Sequence, residues 1–201
     1  VNKKKKKIYV KYVAYNFNVL KQIDRENALQ YNYFEGETYF LMGNFKRAAF
    51  VYAAGINKYK KMKDRKKDPY LDKSFDSLFK SLEKLRKPPA KTLLFAYNSY
   101  LYFYPTGPKS ALVYQKLINF YRSKGNESKM FATLRKYNKY YPKEIKKQRA
   151  VYKEILNKYI KMEDIPSLLK LKSIVQKNFL KFTTLELVKL DKIINQIHFK
   201  K

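Results

Sequence analysis

The segment from Tyr114 to Pro142 constrains the fold of this chain most. Large apolar and aromatic residues recur in it at intervals of three, four and seven, which places them along one face of a helix. Gly125 and Asn126 interrupt the pattern, and both residue types tolerate the left-handed backbone that ends a helix. A second apolar series then begins at Met130 and stops at the proline. The segment predicts a helical hairpin, which needs packed neighbours because it cannot bury its apolar face alone.

The same register recurs elsewhere in the chain. In three segments a tyrosine lies near the end of one helical pattern. A small or apolar residue of the next helical pattern follows nine residues after it. The pairs are Tyr39 and Ala48, Tyr121 and Met130, and Tyr159 and Leu168. A degenerate fourth copy is predicted as well, because Tyr97 precedes Pro105 by the same eight residues that separate Leu134 from Pro142.

The hairpin pattern resembles the tetratricopeptide repeat, which has Trp-x2-Leu-Gly-x2-Tyr in its first helix, Ala-x3-Phe in its second, and then a proline. The corresponding residues of the clearest copy are Tyr114, Leu117, Tyr121 and Pro142. In the first copy Gly36, Ala48 and Gly55 are small, which in this family lets two helix backbones approach closely. The resemblance covers residues 27 to 179 and implies an all-α fold, with hairpins stacked as a right-handed α-solenoid. An ordinary helical bundle is the alternative.

Three parts are predicted along the chain. Residues 1–23 form a basic N-terminal tail and an ambiguous lead-in, residues 24–182 form the helical repeats, and residues 183–201 form a C-terminal capping helix. A basic linker at 58–72 is expected to interrupt the repeats. Asp24 is a suitable N-cap for the first repeat helix. A terminal capping helix is typical of solenoids.

The N-terminal part has two open interpretations. The five lysines at 3–7 predict a solvated, disordered tail, or alternatively a polybasic segment beside a membrane anchor upstream. Residues 8–20 alternate in part like a strand, but Val13, Phe17 and Leu20 fit helical spacing. Beside a helical array we expect a helix there.

The C-terminal helix is predicted from its start signal and its apolar residues. Thr183 and Glu186 stand at capping-box spacing. The residues expected to dock this helix on the last repeat are Leu185, Val188, Ile193, Ile194 and Ile197.

The composition argues against an enzyme. The chain has no cysteine, a single histidine at His198 and five scattered glycines, so thiolate or His-paired metal sites, catalytic triads and phosphate-binding loops are not expected. Glu35 and Glu37 point to different sides of a helix, which disfavours a carboxylate dyad, and Glu35 is expected to bond a neighbouring tyrosine or lysine. We therefore predict no enzyme activity, no cofactor and no small-molecule substrate.

In tetratricopeptide arrays the first helices of the hairpins line a concave face that binds peptides. Carried over by position, the predicted lining is Tyr33, Glu37, Phe40, Gln115, Asn119, Arg122, Lys153 and Asn157. Lys153 and Asn157 resemble part of a clamp for the carboxylate of chaperone tails. The other clamp positions do not match, so a chaperone-tail receptor is not expected.

These features predict a non-enzymatic scaffold or adaptor that binds a protein with an acidic surface and helps to assemble a larger bacterial complex. The net charge of +30, from 46 Lys and Arg against 16 Asp and Glu, supports an acidic partner. The alternative is lysine-driven binding to nucleic acid or to an anionic membrane surface. The lysine-rich, AT-biased composition resembles that of spirochaete tetratricopeptide proteins. It implies a cell-envelope or periplasmic flagellar-motor assembly, so a periplasmic or envelope location is favoured over the cytoplasm.

Overall fold

The chain folds entirely into α-helices within the part that the structure describes. The computed structural model describes residues 3–62, 68–142, 145–178 and 184–199. The helices are α1 (Lys3–Ile23), α2 (Ala28–Leu41), α3 (Phe45–Lys61), α4 (Pro69–Glu83), α5 (Ala90–Phe103), α6 (Ser110–Ser123), α7 (Glu127–Tyr140), α8 (Ile145–Lys161), α9 (Ile165–Asn178) and α10 (Thr184–Phe199). They form two compact units, unit 1 up to Tyr104 and unit 2 from Pro105. The predicted all-α class is confirmed, and within each unit most helices pack on neighbours in the chain, as in a helical repeat.

Three hairpins, α2–α3, α6–α7 and α8–α9, close through the same turn. The backbone N–H of the cap residue donates to a tyrosine carbonyl five positions earlier, from Asn44 to Tyr39 at 2.9 Å, Asn126 to Tyr121 at 2.9 Å, and Asp164 to Tyr159 at 3.1 Å. The residues before the caps have positive φ, at Gly43, Gly125 and Glu163. Each cap side chain accepts a hydrogen bond from the backbone N–H three residues after it, which belongs to Arg47, Lys129 or Ser167. The repeat in the sequence is thus a repeat of local geometry.

Two glycines allow α2 and α3 to pack closely. A Cβ atom on Gly36 would lie 2.3 Å from Cε1 of the Tyr52 ring, and a Cβ atom on Gly55 would lie 2.7 Å from Cβ of Asn32. Ala48 is fully buried on the same helix pair. The prediction that small residues let these two helices approach is therefore confirmed.

Each unit has its own apolar core. The fully buried large side chains of unit 1 are Tyr52, Ile56, Phe75 and Leu78. Those of unit 2 are Tyr114, Met130, Phe131, Leu168, Leu171 and Leu190. Tyrosine serves as a core residue in both units because its ring is large and its hydroxyl can reach a polar partner.

Helix α1 differs from the predicted tail. It begins at Lys3, so the five-lysine run is helical and the disordered-tail interpretation is wrong, whereas the helix expected over residues 8–20 is confirmed. Packing on α2 explains this: Ala14 is buried, and the ring of Phe17 stacks on that of Phe34 at 5.9 Å. Tertiary contacts hold a helix whose N-terminal lysines alone would disfavour it.

The first repeat helix begins later than predicted. Its N-cap is Asn27 rather than Asp24. The Asp24 carboxylate instead accepts hydrogen bonds from the backbone N–H and the side chain of Asn27, at 3.3 and 2.9 Å, and from the Tyr31 hydroxyl at 2.8 Å. These bonds lower the pKa of Asp24. Asp24 therefore organises the turn that joins α1 to α2.

The basic linker is shorter than the predicted 58–72. Helix α3 continues to Lys61, and α4 begins at Pro69. Asp68 caps α4 by accepting the backbone N–H of Tyr70 at 2.8 Å, and proline suits the first turn of a helix. Residues 63–67 lie outside the described part of the chain.

Helix α10 packs on the last hairpin, as expected of a capping helix. Leu190, Ile194 and Ile197 form a buried cluster with Leu168 of α9. Val188 is 45% exposed, so its predicted docking is wrong. The predicted capping box begins at residue 183, which lies outside the described residues. No helix in the described part of the chain is long and apolar enough to cross a membrane.

Candidate protein-interaction surface

The predicted residue Glu37 joins three helices of unit 1. Its Oε1 accepts hydrogen bonds from the hydroxyls of Tyr52 on α3 and Ser77 on α4, both at 2.6 Å. Burial raises the pKa of Tyr52 well above its ordinary value, and the bond to Glu37 raises it further. The phenol therefore keeps its proton and acts as a stable donor, so this polar cluster has a structural role.

The other two predicted residues of unit 1 also make contacts within that unit. The ring of Tyr33 lies 6.2 Å from that of Tyr52 and 5.5 Å from that of Tyr70. Phe40 packs edge to face on Phe45, at 5.1 Å across the turn. Both residues are half-buried. Their replacement would disturb packing as well as any surface they contribute to.

The predicted residues of unit 2 are more accessible. Asn119, Arg122, Lys153 and Asn157 are exposed. Gln115 is half-buried and donates from Nε2 to the Tyr137 hydroxyl at 3.3 Å. Four of the five side chains are thus exposed to solvent.

An ion pair links α6 and α8 of unit 2. The predicted residue Arg122 on α6 pairs with Glu154 on α8, which stands next to the predicted Lys153. We call the exposed residues Leu112, Asn119, Arg122, Lys153 and Asn157 the α6–α8 face. Glu154 neutralises part of the positive charge that the sequence alone suggests for this face.

The sequence did not predict two residues of this region, Leu112, which belongs to the α6–α8 face, and Glu154, which pairs with it through Arg122. Leu112 is 53% exposed and stands three residues before Gln115 and seven before Asn119. That spacing places it on the same side of α6 as the two polar residues, and it is the signal that could have identified it. No comparable signal marks Glu154, because its partner lies on another helix.

A cavity of about 440 Å³ lies in unit 1 where α2, α3 and α4 meet. Its lining includes the cations Arg25 and Lys58 and the carboxylates Glu26 and Asp68. These mixed charges select no single class of ligand. Within the described ranges, no group of three or more His, Cys, Asp or Glu side chains could hold a metal ion.

We expect Tyr114→Phe to reduce the alkaline sensitivity of the protein. Burial, and then the neighbouring Tyr140 and Tyr141, raise the pKa of Tyr114 to about 12. The unfolded value is about 10, so the unfolded chain loses its proton first. The stability from this group is therefore present below about pH 10 and is lost as pH rises towards the folded value.

The measurement is urea unfolding of both proteins across this pH range. The difference in free energy of unfolding between wild type and Tyr114→Phe should be constant up to about pH 9 and should then fall for the wild type relative to the variant. Tyr9→Phe, which removes a hydroxyl at a 69% exposed position, is the control for the loss of a phenol outside the core. A flat difference for Tyr114→Phe would contradict the buried phenol.

Comparisons with known proteins show no family for this chain. It matches no family model, and searches of curated proteins and of solved structures find no significant match. The support for a function therefore comes from the chain's own residues.

Proposed function

We propose that this protein is a non-enzymatic, tetratricopeptide-like adaptor that binds a protein partner through the α6–α8 face. The observation that carries the proposal is the accessible polar face on the first helices of two successive hairpins, joined by the Arg122–Glu154 ion pair. Neither Asn119 nor Asn157 on this face is buried in the unit's own packing.

The repeated turn supports the tetratricopeptide likeness. Tyr39, Tyr121 and Tyr159 accept the closing hydrogen bond in their three hairpins, and each stands nine residues before a fully buried residue of the second helix, namely Ala48, Met130 and Leu168. An ordinary bundle has no need for this shared register. Because the hairpins share it, their first helices present equivalent positions.

The chemistry of the face suits a peptide segment of another protein. Asn119 and Asn157 each offer two N–H donors and one acceptor, which can pair with a peptide backbone. Leu112 adds an apolar anchor at one end, and Lys153 adds a cation. Since Glu154 balances Arg122, much of the preference for an acidic partner comes from the net charge of +30, which speeds association at long range.

The proposed setting is an assembly in the bacterial cell envelope, such as a periplasmic flagellar motor. Its support is the lysine-rich composition. The engagement of the Glu37 carboxylate by two hydroxyls agrees with a role in scaffolding.

A pull-down from native lysate at about 0.3 M salt, with and without nuclease, tests the adaptor function. The face variant is Leu112→Ser/Asn119→Ala/Asn157→Ala. The control variant carries three exposed substitutions on α9 and α10, Leu169→Ser/Asn195→Ala/Gln196→Ala. Neither set changes the net charge.

We expect a defined protein that survives nuclease, is captured by wild type and the control variant, and is lost with the face variant. Short-range contacts persist at this salt concentration, whereas binding to polyanions falls steeply with salt. Recovery of nucleic acid alone, or capture of the same protein by the face variant, would overturn the proposal.

A further inference from the structure

Helix α1 exposes an apolar stripe on the side that faces away from α2. The exposed members are Ile8, Tyr9, Tyr12, Val13, Tyr15, Leu20 and Ile23, with exposures from 38% to 76%. An amphipathic helix normally turns its apolar face to the core. Here α2 covers the side that bears Ala14 and Phe17, and a second apolar side is left outside. Exposed apolar residues that form a contiguous set mark an interaction site, whereas scattered ones do not.

The stripe has the geometry of a helix that lies in a surface. At 100° per residue its seven members fall within one sector of about 160°, and from Ile8 to Ile23 it is about 22 Å long. Five of its members, Ile8, Tyr9, Tyr12, Val13 and Tyr15, lie in its N-terminal half, and three of these are tyrosines. Tyrosine combines an apolar ring with a polar tip and is enriched where a membrane meets water.

The charge of α1 indicates what covers the stripe. Five lysines at 3–7 form the start of the helix, and the helix contains no Asp or Glu. Positive charges at a helix N-terminus oppose the helix dipole, and like charges four residues apart repel each other. An anionic surface would remove both penalties. Lys21, the last lysine of α1, points inward to Glu35 of α2.

We propose that α1 docks unit 1 on an anionic lipid bilayer, with the stripe in the interface and the N-terminal lysines among the headgroups. A bilayer of this kind satisfies both features, because lysines near an anionic surface and buried apolar area each favour binding. Nucleic acid would satisfy the lysines but not Ile8, Val13 or Ile23. A second copy of the chain would bring two strongly positive proteins together. This site is independent of the α6–α8 face, so either proposal can fail alone.

Sedimentation with vesicles tests the docking. The vesicles are phosphatidylcholine alone, or phosphatidylcholine with about 30% phosphatidylserine. The stripe variant is Tyr9→Ser/Tyr12→Ser/Ile23→Ser, and its control removes three exposed apolar residues elsewhere, Phe50→Ser/Tyr102→Ser/Leu169→Ser. Circular dichroism verifies that both variants keep the wild-type helix content.

A pair of charge variants tests the role of the lysines. The cluster variant changes the lysines at 3, 4, 5, 6 and 7 to Gln. Its control changes five exposed lysines elsewhere, Lys46, Lys91, Lys124, Lys136 and Lys170, to Gln. Each variant loses five positive charges, so any difference in vesicle binding between them reports the effect of where those charges lie.

A tryptophan probe locates the contact on the chain. The protein contains no Trp, so Tyr12→Trp introduces one fluorophore in the stripe and Tyr102→Trp introduces one on α5. With phosphatidylserine vesicles, emission from Tyr12→Trp should shift to shorter wavelength because the indole enters the interface. Emission from Tyr102→Trp should not shift.

We expect wild type and both controls to bind the phosphatidylserine vesicles. The affinity of the stripe and cluster variants for these vesicles should be lower by about tenfold or more. Absence of wild-type binding, equal binding to both vesicle types, equal loss in the two charge variants, or wild-type binding by the stripe variant would overturn the proposal. A stripe-dependent dimer without lipid, or stripe-dependent binding of a single-stranded RNA, would overturn it too.

Discussion

Glu35→Ala should destabilise unit 1 by about 3 kcal/mol or more and release α1 from α2. Glu35 and Lys21 form an ion pair at 2.5 Å with side chains 7% and 14% exposed, and Lys21 also contacts Asn32 at 3.4 Å. Removing the carboxylate leaves an ammonium group in a nearly closed site. An uncompensated buried charge costs more than the net gain from the pair itself.

Hydrogen exchange read by mass spectrometry measures this effect helix by helix. Peptides from α1 should lose protection in Glu35→Ala, while peptides from α7 should keep it. The matched variant Lys21→Met/Glu35→Leu replaces the pair by apolar groups of similar size and should restore protection to the wild-type level. If Glu35→Ala leaves exchange in α1 unchanged, the pair does not hold the two helices together.

Gly36→Ala should lower the free energy of unfolding by about 1–3 kcal/mol or more, because it overpacks α2 against α3. The added Cβ would lie 2.3 to 2.6 Å from three atoms of the Tyr52 ring. That ring cannot easily move, because Tyr52 is fully buried and its hydroxyl is bonded to Glu37. A single methyl group therefore separates the two helices or displaces the ring.

A double-mutant cycle with Tyr52→Leu isolates this contact. Urea unfolding should show that Gly36→Ala costs much less in the Tyr52→Leu background than in wild type, since the clashing ring is gone. Ala54→Leu, at an exposed position of α3, controls for added bulk and should change stability by less than about 0.5 kcal/mol. Equal costs of Gly36→Ala in both backgrounds would contradict the close approach.

Local chemistry explains why much of the fold could be predicted from the sequence. The turn between α6 and α7 falls at Gly125 and Asn126, where the sequence predicts it. The hairpin turns are defined by hydrogen bonds that span only five residues, so Gly125-Asn126 carries nearly all the information needed. The small residues of α2 and α3 likewise mark a close helix pair, because only they fit there.

Contacts between distant residues explain what could not be predicted. Helix α1 depends on Lys21 and Glu35, which are 14 residues apart. Its exposed apolar residues made its helical periodicity hard to distinguish from the alternation of a strand. Glu37 was expected to face a groove, but it binds Ser77, which is 40 residues away. The exposure of Asn119 and Asn157 followed from helical spacing. The partner of Arg122, in contrast, depends on how α8 packs.

Site-specific photo-crosslinking measures most directly whether the α6–α8 face binds a protein. A photoreactive phenylalanine analogue replaces Asn119, or Asn195 on α10 as the control, and is activated in cells. The adaptor account predicts one discrete protein adduct from position 119, resistant to nuclease, that is absent from position 195. Adducts of the same size from both positions, or nucleic-acid adducts alone from position 119, would contradict it.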